Sequence, residues 1–229
     1  MRDAEAVLVP QAEPDLKRLA RTFTLRTSDG FVESFCPAIL ARVLAEAPGV
    51  RLRFVQKPDK DGAPLRDGSV DLETGVLETT TSPELRAHAL FRDGLVGAAR
   101  AGHPLTKARI TTARYAAGQH VTVSRARLEK GIDDALDALG LGVHRNSAVV
   151  VGGFSTALAL ARASDLIATV PERHTGSLRT GMHTFPLPFS TPKFTVSMLW
   201  HPRLDADPVH RWLRSCVRDA CASRPVSPD

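Results

Sequence analysis

The sequence contains no apolar run that approaches the roughly 20 residues of a membrane-spanning helix. Its first five residues carry mixed charge and lead into no long apolar segment, which argues against a secretory signal peptide. We therefore expect a protein of the cytoplasm that has no membrane partner.

Cysteine is scarce. Cys36, Cys216 and Cys221 are an odd number and lack the spacing of metal ligands. They are expected to be reduced packing residues, and neither a metal site nor a cofactor is predicted. The sequence also shows no G-x-S-x-G motif, no paired histidines with a carboxylate and no cysteine–histidine combination. We therefore predict that the chain is not an enzyme and has no catalytic residue.

Blocks of like charge are also missing. The net charge is +5, from 30 basic and 25 acidic residues that are scattered singly. Scattered arginines usually form a solvated surface, so direct binding of nucleic acid by this chain is not expected. The 229 residues, of which 43% are hydrophobic, suit one large domain or two small lobes with a good core.

The most informative stretch runs from Thr22 to Val50. Residues 23–27 alternate as in a half-buried strand, a polar turn follows at residues 28–30, and apolar residues then recur at helical spacing: Phe31, Phe35, Ile39, Leu40, Val43, Leu44 and Ala47. Because proline cannot lie deep in a helix, the regular helix is predicted to begin near Pro37, after a looser lead-in over residues 30–36. A strand that runs into a helix N-terminus offers N–H groups at the sheet edge where open α/β sheets bind ligands.

The same order of strand, small polar turn, helix and strand occurs again around residues 147–170. The turn from Gly152 to Thr156 could start a second anion-binding helix, although the Gly-Lys-Ser/Thr of a nucleotide loop is missing. Further strands are predicted at residues 51–56, in a segment that ends near residue 77, on both sides of the turn at 92–94, at 121–124 and at 194–200. Helices are predicted over residues 128–139 and 157–163, and from Pro208 onward. Two such units in tandem favour two lobes that face a cleft.

Five candidate residues have two interpretations. Thr27, Ser28 and Asp29 either contact a ligand or cap the helix, and capping does not exclude contact. Phe154 either lines a pocket or fills a core. Arg125 follows a predicted strand and either pairs with a carboxylate ligand or lies on the solvated surface.

Six segments, in their order and spacing, resemble the effector-binding domain of LysR-type transcriptional regulators, and look closest to the branch that responds to aromatic and nitroaromatic compounds. They are RTFTL followed by SD, the Pro37 helix, LRDGSVDLETGVL, LFRDGLVGAARAGHPL, ASDLIATVP and VSMLWHPRLDADPVHRWLR. The resemblance covers roughly residues 20–222. It implies an α/β fold of the type 2 periplasmic-binding-protein class, with two Rossmann-like lobes joined by two crossover strands. Residues 22–97 plus 199–229 would form the first lobe, 98–198 the second, and 1–21 the end of a linker helix.

The resemblance also implies a function. The chain would sense a small-molecule effector, a small organic acid or an aromatic compound, between its lobes, as part of a bacterial transcription regulator. Its partners would be further copies of itself, in a homodimer or tetramer. The helix near residues 37–47 and the strand 51–56 would lie against the second lobe of a partner. DNA would be bound only through an N-terminal helix-turn-helix that this chain lacks. The implied effector-binding residues are Thr27, Ser28, Asp29, Phe31, Gly75, Leu77, Ser124, Arg125, Phe154, Ser155 and Thr156. The alternatives are a bilobal solute-binding protein for transport and a bilobal enzyme.

Overall fold

The computed structural model describes residues 14–56, 61–77, 81–123, 126–140, 142 and 144–222, with the side chains of 126–130 left out. The strands are β1 (Arg21–Thr27), β2 (Val50–Gln56), β3 (Leu72–Val76), β4 (Arg86–Asp93), β5 (Leu95–Arg100), β6 (Gln119–Val123), β7 (Asn146–Val151), β8 (Leu166–Pro171), β9 (Met182–Pro186) and β10 (Phe194–Trp200). The α-helices are α1 (Asp29–Glu46), α2 (Ala63–Asp67), α3 (Thr112–Ala116), α4 (Ala126–Asp137), α5 (Phe154–Ala163) and α6 (Pro208–Ala222).

The strands form two five-stranded sheets. The first has the order β2-β1-β3-β10-β4 and the second β7-β6-β8-β5-β9. In the first sheet β1 is parallel to β2 and β3, as expected for strands joined by helices, whereas β10 is antiparallel to β3 and β4. The second sheet repeats this plan, with β6 parallel to β7 and β8 and with β5 antiparallel to β8 and β9. We call the parts of the chain that pack on these sheets the first and the second lobe.

The chain passes from the first sheet to the second at Gly94 and returns between β9 and β10. The predicted boundaries at residues 97 and 199 fall inside β5 and inside β10, each of which belongs to one sheet over its whole length, and the division stays a prediction. Strand β9 was not predicted from the sequence. It pairs with β5 at the edge of the second sheet, and of its five side chains only Phe185 is buried.

Helix α1 begins eight residues before the predicted start, so the looser lead-in is wrong. Ser28 caps the helix by accepting a 3.3 Å hydrogen bond from the N–H of Phe31. Pro37 lies inside the helix, where it cannot donate to the carbonyl of Glu33. That carbonyl instead accepts a 3.2 Å hydrogen bond from the hydroxyl of Ser177 in the second lobe, which offsets the missing helical bond.

The core of the first lobe lies between its sheet and helices α1 and α6. Phe23, Leu25 and Leu72 of the sheet pack against Phe31, Phe35, Ile39 and Val43 of α1 and Leu213 and Val217 of α6. Leu40 and Leu44 were predicted on the same apolar face, but they are 41% and 55% exposed. The buried face of α1 is therefore narrower than the sequence pattern indicated.

The second lobe packs α5 on one face of its sheet, through Phe154, Ala157, Leu158 and Ala161. The other face is covered by a cluster that includes Leu105, Tyr115, Ile132 and Leu136. The three cysteines are free thiols, and burial raises the pKa of Cys216 to about 11 and that of Cys221 to about 12. Within the described residues no helix is long and apolar enough to cross a membrane.

Candidate functional site

The polar turn that follows β1 lies against the second lobe. The Oγ atom of Ser28 is 2.6 Å from Nε2 of His174, which belongs to the segment after β8. His174 is only 8% exposed, because its ring lies between three phenylalanines from both lobes. The ring centroids of Phe31, Phe91 and Phe154 are 5.8, 6.2 and 6.2 Å from that of His174. Phe154 therefore both fills the core of the second lobe and faces this histidine.

Asp29 connects the two predicted turns directly. Its Oδ2 atom accepts a 2.9 Å hydrogen bond from the backbone N–H of Ser155, at the start of α5. One turn further along α1, the carboxylate of Glu33 accepts a hydrogen bond from the Ser155 hydroxyl. The sequence predicted that Asp29 and Ser155 belong to one site, and the structure brings them together, but as partners of each other.

The remaining predicted residues differ in position. Thr27 is buried, and its hydroxyl is hydrogen-bonded to that of Thr74. Thr156 is exposed in the first turn of α5. Ser124 and Arg125 lie outside the described residues, as does any contact that they make.

Leu77 lies at a separate cavity of about 380 Å³ at the end of β3, which is also lined by Ala87, Ala89 and Ser197. Gly75 is opposite Ser197 in the register of β3 and β10, but it does not line this cavity. Leu77 and Phe194 form apolar walls, and Lys193 lies at the rim. The cavity thus combines apolar surface with one cation, beside the connection between the lobes.

The segment of residues 172–177, which follows β8, is anchored on the first lobe. The buried carboxylate of Asp93 accepts hydrogen bonds from the N–H groups of Arg173 and His174, at 2.9 and 3.0 Å. Burial raises the pKa of Asp93, and these N–H donors together with that of Gly94 oppose the rise. The Arg173 guanidinium lies 4.5 Å from the ring centroid of Phe91 and donates to the carbonyl of Cys221. His174 is therefore positioned by contacts with β4 and α6 as well as by Ser28.

Sequence reasoning missed His174. Its neighbours, Arg173 and Thr175, form no periodic apolar pattern, and nothing local marks the segment as part of a site. A histidine beside a serine raises the question of nucleophilic catalysis. Here phenyl rings enclose the pair, and the nearby Asp93 carboxylate accepts hydrogen bonds from backbone N–H groups.

Another buried histidine, His120, lies in the second lobe. Its Nε2 is 2.8 Å from the carbonyl oxygen of Tyr115, and its Nδ1 has no partner among the described residues. Burial lowers its pKa to about 4, so the ring is neutral near pH 7. The Tyr115 hydroxyl is in turn 2.6 Å from that of Thr169. The contacts of this cluster described above lie within the second lobe.

The chain is similar to known proteins in sequence and in fold. The family model described as LysR substrate binding domain matches residues 17–222. The transcriptional activator NagR of Ralstonia sp is 29% identical over 203 residues, which are 85% of this chain and 65% of NagR. The regulator SyrM of Rhizobium meliloti is 30% identical over 193 residues, 82% of this chain and 58% of SyrM. The chain thus spans less than two thirds of the length of these relatives.

Solved structures agree with the sequence comparison. A putative transcriptional regulator from Vibrio parahaemolyticus has a TM-score of 0.77 and 28% identity, covering 90% of this chain and 96% of that one. The regulatory domain of MexT, a transcriptional activator of Pseudomonas aeruginosa, has a TM-score of 0.76 and 27% identity, with coverages of 86% and 98%. Both similarities extend over both sheets of the chain.

Proposed function

The chain belongs to the LysR substrate-binding domain family, and from this premise we propose how it senses a ligand and what the whole protein does with the signal. It is an effector-binding domain of the LysR type with the type 2 periplasmic-binding fold. Its relatives are transcriptional regulators rather than transport proteins or enzymes, which is consistent with a role without catalysis.

One observation carries the proposed mechanism: the turn after β1 and the start of α5 are in direct contact through Asp29 and Ser155. A molecule that binds beside these turns acts on both lobes at once. It changes the angle between the lobes to the extent that it binds one arrangement more tightly than another.

We place the effector between the lobes, beside the two turns and the end of β3. The proposed contacts are Thr27, Ser28, Asp29, Phe31, Gly75, Leu77, Ser124, Arg125, Phe154, Ser155 and Thr156. Phenyl rings and the cavity wall at Leu77 favour an apolar body. Lys193 at the rim, and Arg125, favour an anionic end. A small organic acid, aromatic or aliphatic, has both features.

A thermal-shift screen tests this proposal. The purified chain is heated with a panel of small aromatic and aliphatic carboxylic acids and with matched amides of the same carbon skeletons. A ligand at a hundred times its dissociation constant should stabilise the fold by about 2.7 kcal/mol. We expect acids, and not their amides, to raise the melting temperature. Stabilisation by the amides and not by the acids would contradict the anionic end, and stabilisation by neither set would contradict the proposed class.

The whole protein is proposed to be a cytoplasmic DNA-binding regulator, with specificity for DNA supplied by a segment outside this chain. The 229-residue chain alone should then show only weak, salt-sensitive retention of its promoter. Self-association is proposed through α1 and the edge strand β2. Leu40 and Leu44 point outward there, whereas Arg42 pairs with Glu46 and Asp219 within the chain.

A further inference from the structure

We propose that Asp29 and Glu33 of α1 form a carboxylate clasp on the first turn of α5, and that this clasp sets the angle between the two lobes. The clasp consists of Asp29, Glu33, Gly153 and Ser155. This proposal rests on the proposed function in one respect only: by setting the angle between the lobes, the clasp regulates the effector site described above. The clasp itself is a property of the chain without any ligand.

The spacing of the two carboxylates matches the N-terminal turn of α5. Asp29 and Glu33 are four residues apart, so they lie on the same face of α1, one turn apart. Helix α5 begins after Gly153, which has no side chain to cap it. Asp29 accepts the Ser155 N–H in place of a cap, and it brings negative charge to the positive end of the helix dipole. Glu33 accepts the Ser155 hydroxyl. The first lobe thus caps a helix of the second.

Two glycines allow this close approach, one from each lobe. A Cβ atom at Gly153 would lie 2.4 Å from Oδ2 of Asp29, and one at Gly30 would lie 2.7 Å from the carbonyl oxygen of His174. A side chain at Gly153 would displace the Asp29 carboxylate or force α1 and α5 apart, and one at Gly30 would push α1 away from the segment that follows β8. Gly153 has φ of −149°, an extended conformation that alanine adopts freely, so the close contact is its only special requirement.

Pro37 adds a third connection. Because it leaves the carbonyl of Glu33 without a helical donor, Ser177 of the second lobe can bond to that carbonyl at 3.2 Å. Glu33 therefore binds the second lobe twice, through its side chain to Ser155 of α5 and through its backbone carbonyl to Ser177. All these bonds exist only in an arrangement that keeps α1 against α5, so they stabilise that arrangement over others.

The consequence concerns the effector. A ligand that fits the present angle binds without disturbing the clasp, whereas a ligand that requires another angle must break the Asp29–Ser155 bond. Weakening the clasp should therefore change the distribution of interlobe angles before any ligand is added.

The first experiment measures that distribution by double electron–electron resonance. Spin labels are placed through Arg211→Cys on α6 and Asp134→Cys on α4, which are exposed positions in different lobes. Cys36→Ser removes the half-buried thiol, while Cys216 and Cys221 are buried thiols with raised pKa values. Labelled chains are diluted with unlabelled ones, so that distances within one chain dominate.

We expect Asp29→Ala and Gly153→Ala to shift or widen the distance distribution in the same way, because each breaks the clasp from a different lobe. The double variant should behave like either single variant. Glu84→Ala, which removes an exposed carboxylate of the first lobe, should leave the distribution unchanged. If both clasp variants stay folded by circular dichroism and keep the wild-type distribution, the clasp does not set the angle and the inference fails.

A second readout is the hydrogen exchange of the Ser155 amide. Loss of a charge-assisted hydrogen bond should speed its exchange by about ten- to a hundredfold in Asp29→Ala. Asp29→Asn, which retains an acceptor oxygen, should show a smaller increase. If the Ser155 amide exchanges as slowly in Asp29→Ala as in wild type, Asp29 does not cap α5 and the inference fails. Neither readout uses an effector, so a failed ligand screen and a failed clasp remain distinguishable.

Discussion

Arg26 of β1 and Glu73 of β3 form an ion pair inside the first lobe, with Nε 2.7 Å from Oε2 and each side chain only 5% exposed. Arg26 also donates to the backbone carbonyl of Asp61, in the connection that leads to α2. The pair thus joins two parallel strands to a loop that covers their sheet. Its removal should affect the stability of the first lobe as a unit.

We expect Glu73→Gln to lower the free energy of unfolding by about 3–5 kcal/mol, because a guanidinium then stays buried without its carboxylate. Glu84→Gln is the matched control. Glu84 lies 3.5 Å from Arg66 at the surface, and its loss should cost less than about 1 kcal/mol. Urea denaturation of the three proteins at pH 7 measures both values. Similar losses of unfolding free energy in the two variants would show that burial of the Arg26–Glu73 pair does not add to its contribution.

Acid should destabilise the second lobe through His120. Its pKa is about 4 in the folded chain and near 6.5 when exposed. Between these values the unfolded chain binds a proton that the folded chain does not, so stability falls as the pH drops from 6.5 towards 4. The full difference between the two pKa values corresponds to about 3 kcal/mol of unfolding free energy.

The measurement is the free energy of unfolding against pH for wild type, His120→Gln and His88→Gln. We expect a flatter profile between pH 4 and 6.5 only for His120→Gln, since His88 is exposed. His210, whose pKa burial also lowers, contributes equally to all three. Parallel profiles would show that His120 is protonated in the folded state as readily as in the unfolded one.

Local patterns predicted most strands and the parallel pairing of β1 with β2, because both follow from alternation and from the length of the connecting helix. The start of α1 could not be predicted from local patterns. Proline at position 37 argued for a late start, and only the hydroxyl of Ser177, distant in sequence, offsets the bond that proline removes. A helix pattern likewise placed Leu44 in the core, although which flank of an apolar stripe is covered depends on the neighbouring elements.

The candidate site shows the same division. The strand-to-helix turns at Asp29 and Ser155 could be predicted, because sheet topology places both at the cleft. Their direct contact depends on close approach at Gly153, which no local pattern encodes. His174 reaches the site through bonds of its backbone to Asp93, a long-range contact, so its position could not be read from its neighbours.

Self-association through α1 predicts that Leu44→Glu weakens the dimer. Leu40 and Leu44 lie four residues apart and form an exposed apolar ridge beside the edge strand β2. A carboxylate on that ridge would have to be desolvated in a symmetric contact. Sedimentation velocity at micromolar concentration should show a dimer for wild type and a monomer for Leu44→Glu. A variant that is folded and still dimeric would place the interface elsewhere.

Effector affinity should depend on the hydroxyl of Ser28. Once a ligand has been found, Ser28→Ala should weaken its binding about tenfold or more, since losing a buried hydroxyl that bonds a ligand costs about 1–3 kcal/mol. Thr156→Ala and Ser124→Ala should act in the same direction. Calorimetric titration at one temperature gives the dissociation constants.

Ser28 also caps α1, and losing a cap costs about 1 kcal/mol of stability, so a control must separate the two roles. Thr111 provides it, because its hydroxyl caps α3 through the N–H of Arg114 in the same way, in a helix that carries none of the proposed contacts. Thr111→Ala should lose stability but bind the ligand like wild type. If Ser28→Ala, Ser124→Ala and Thr156→Ala also bind like wild type while folded, the effector does not contact these turns. The cavity beside Leu77, with Lys193 at its rim, would then be the place to look for it.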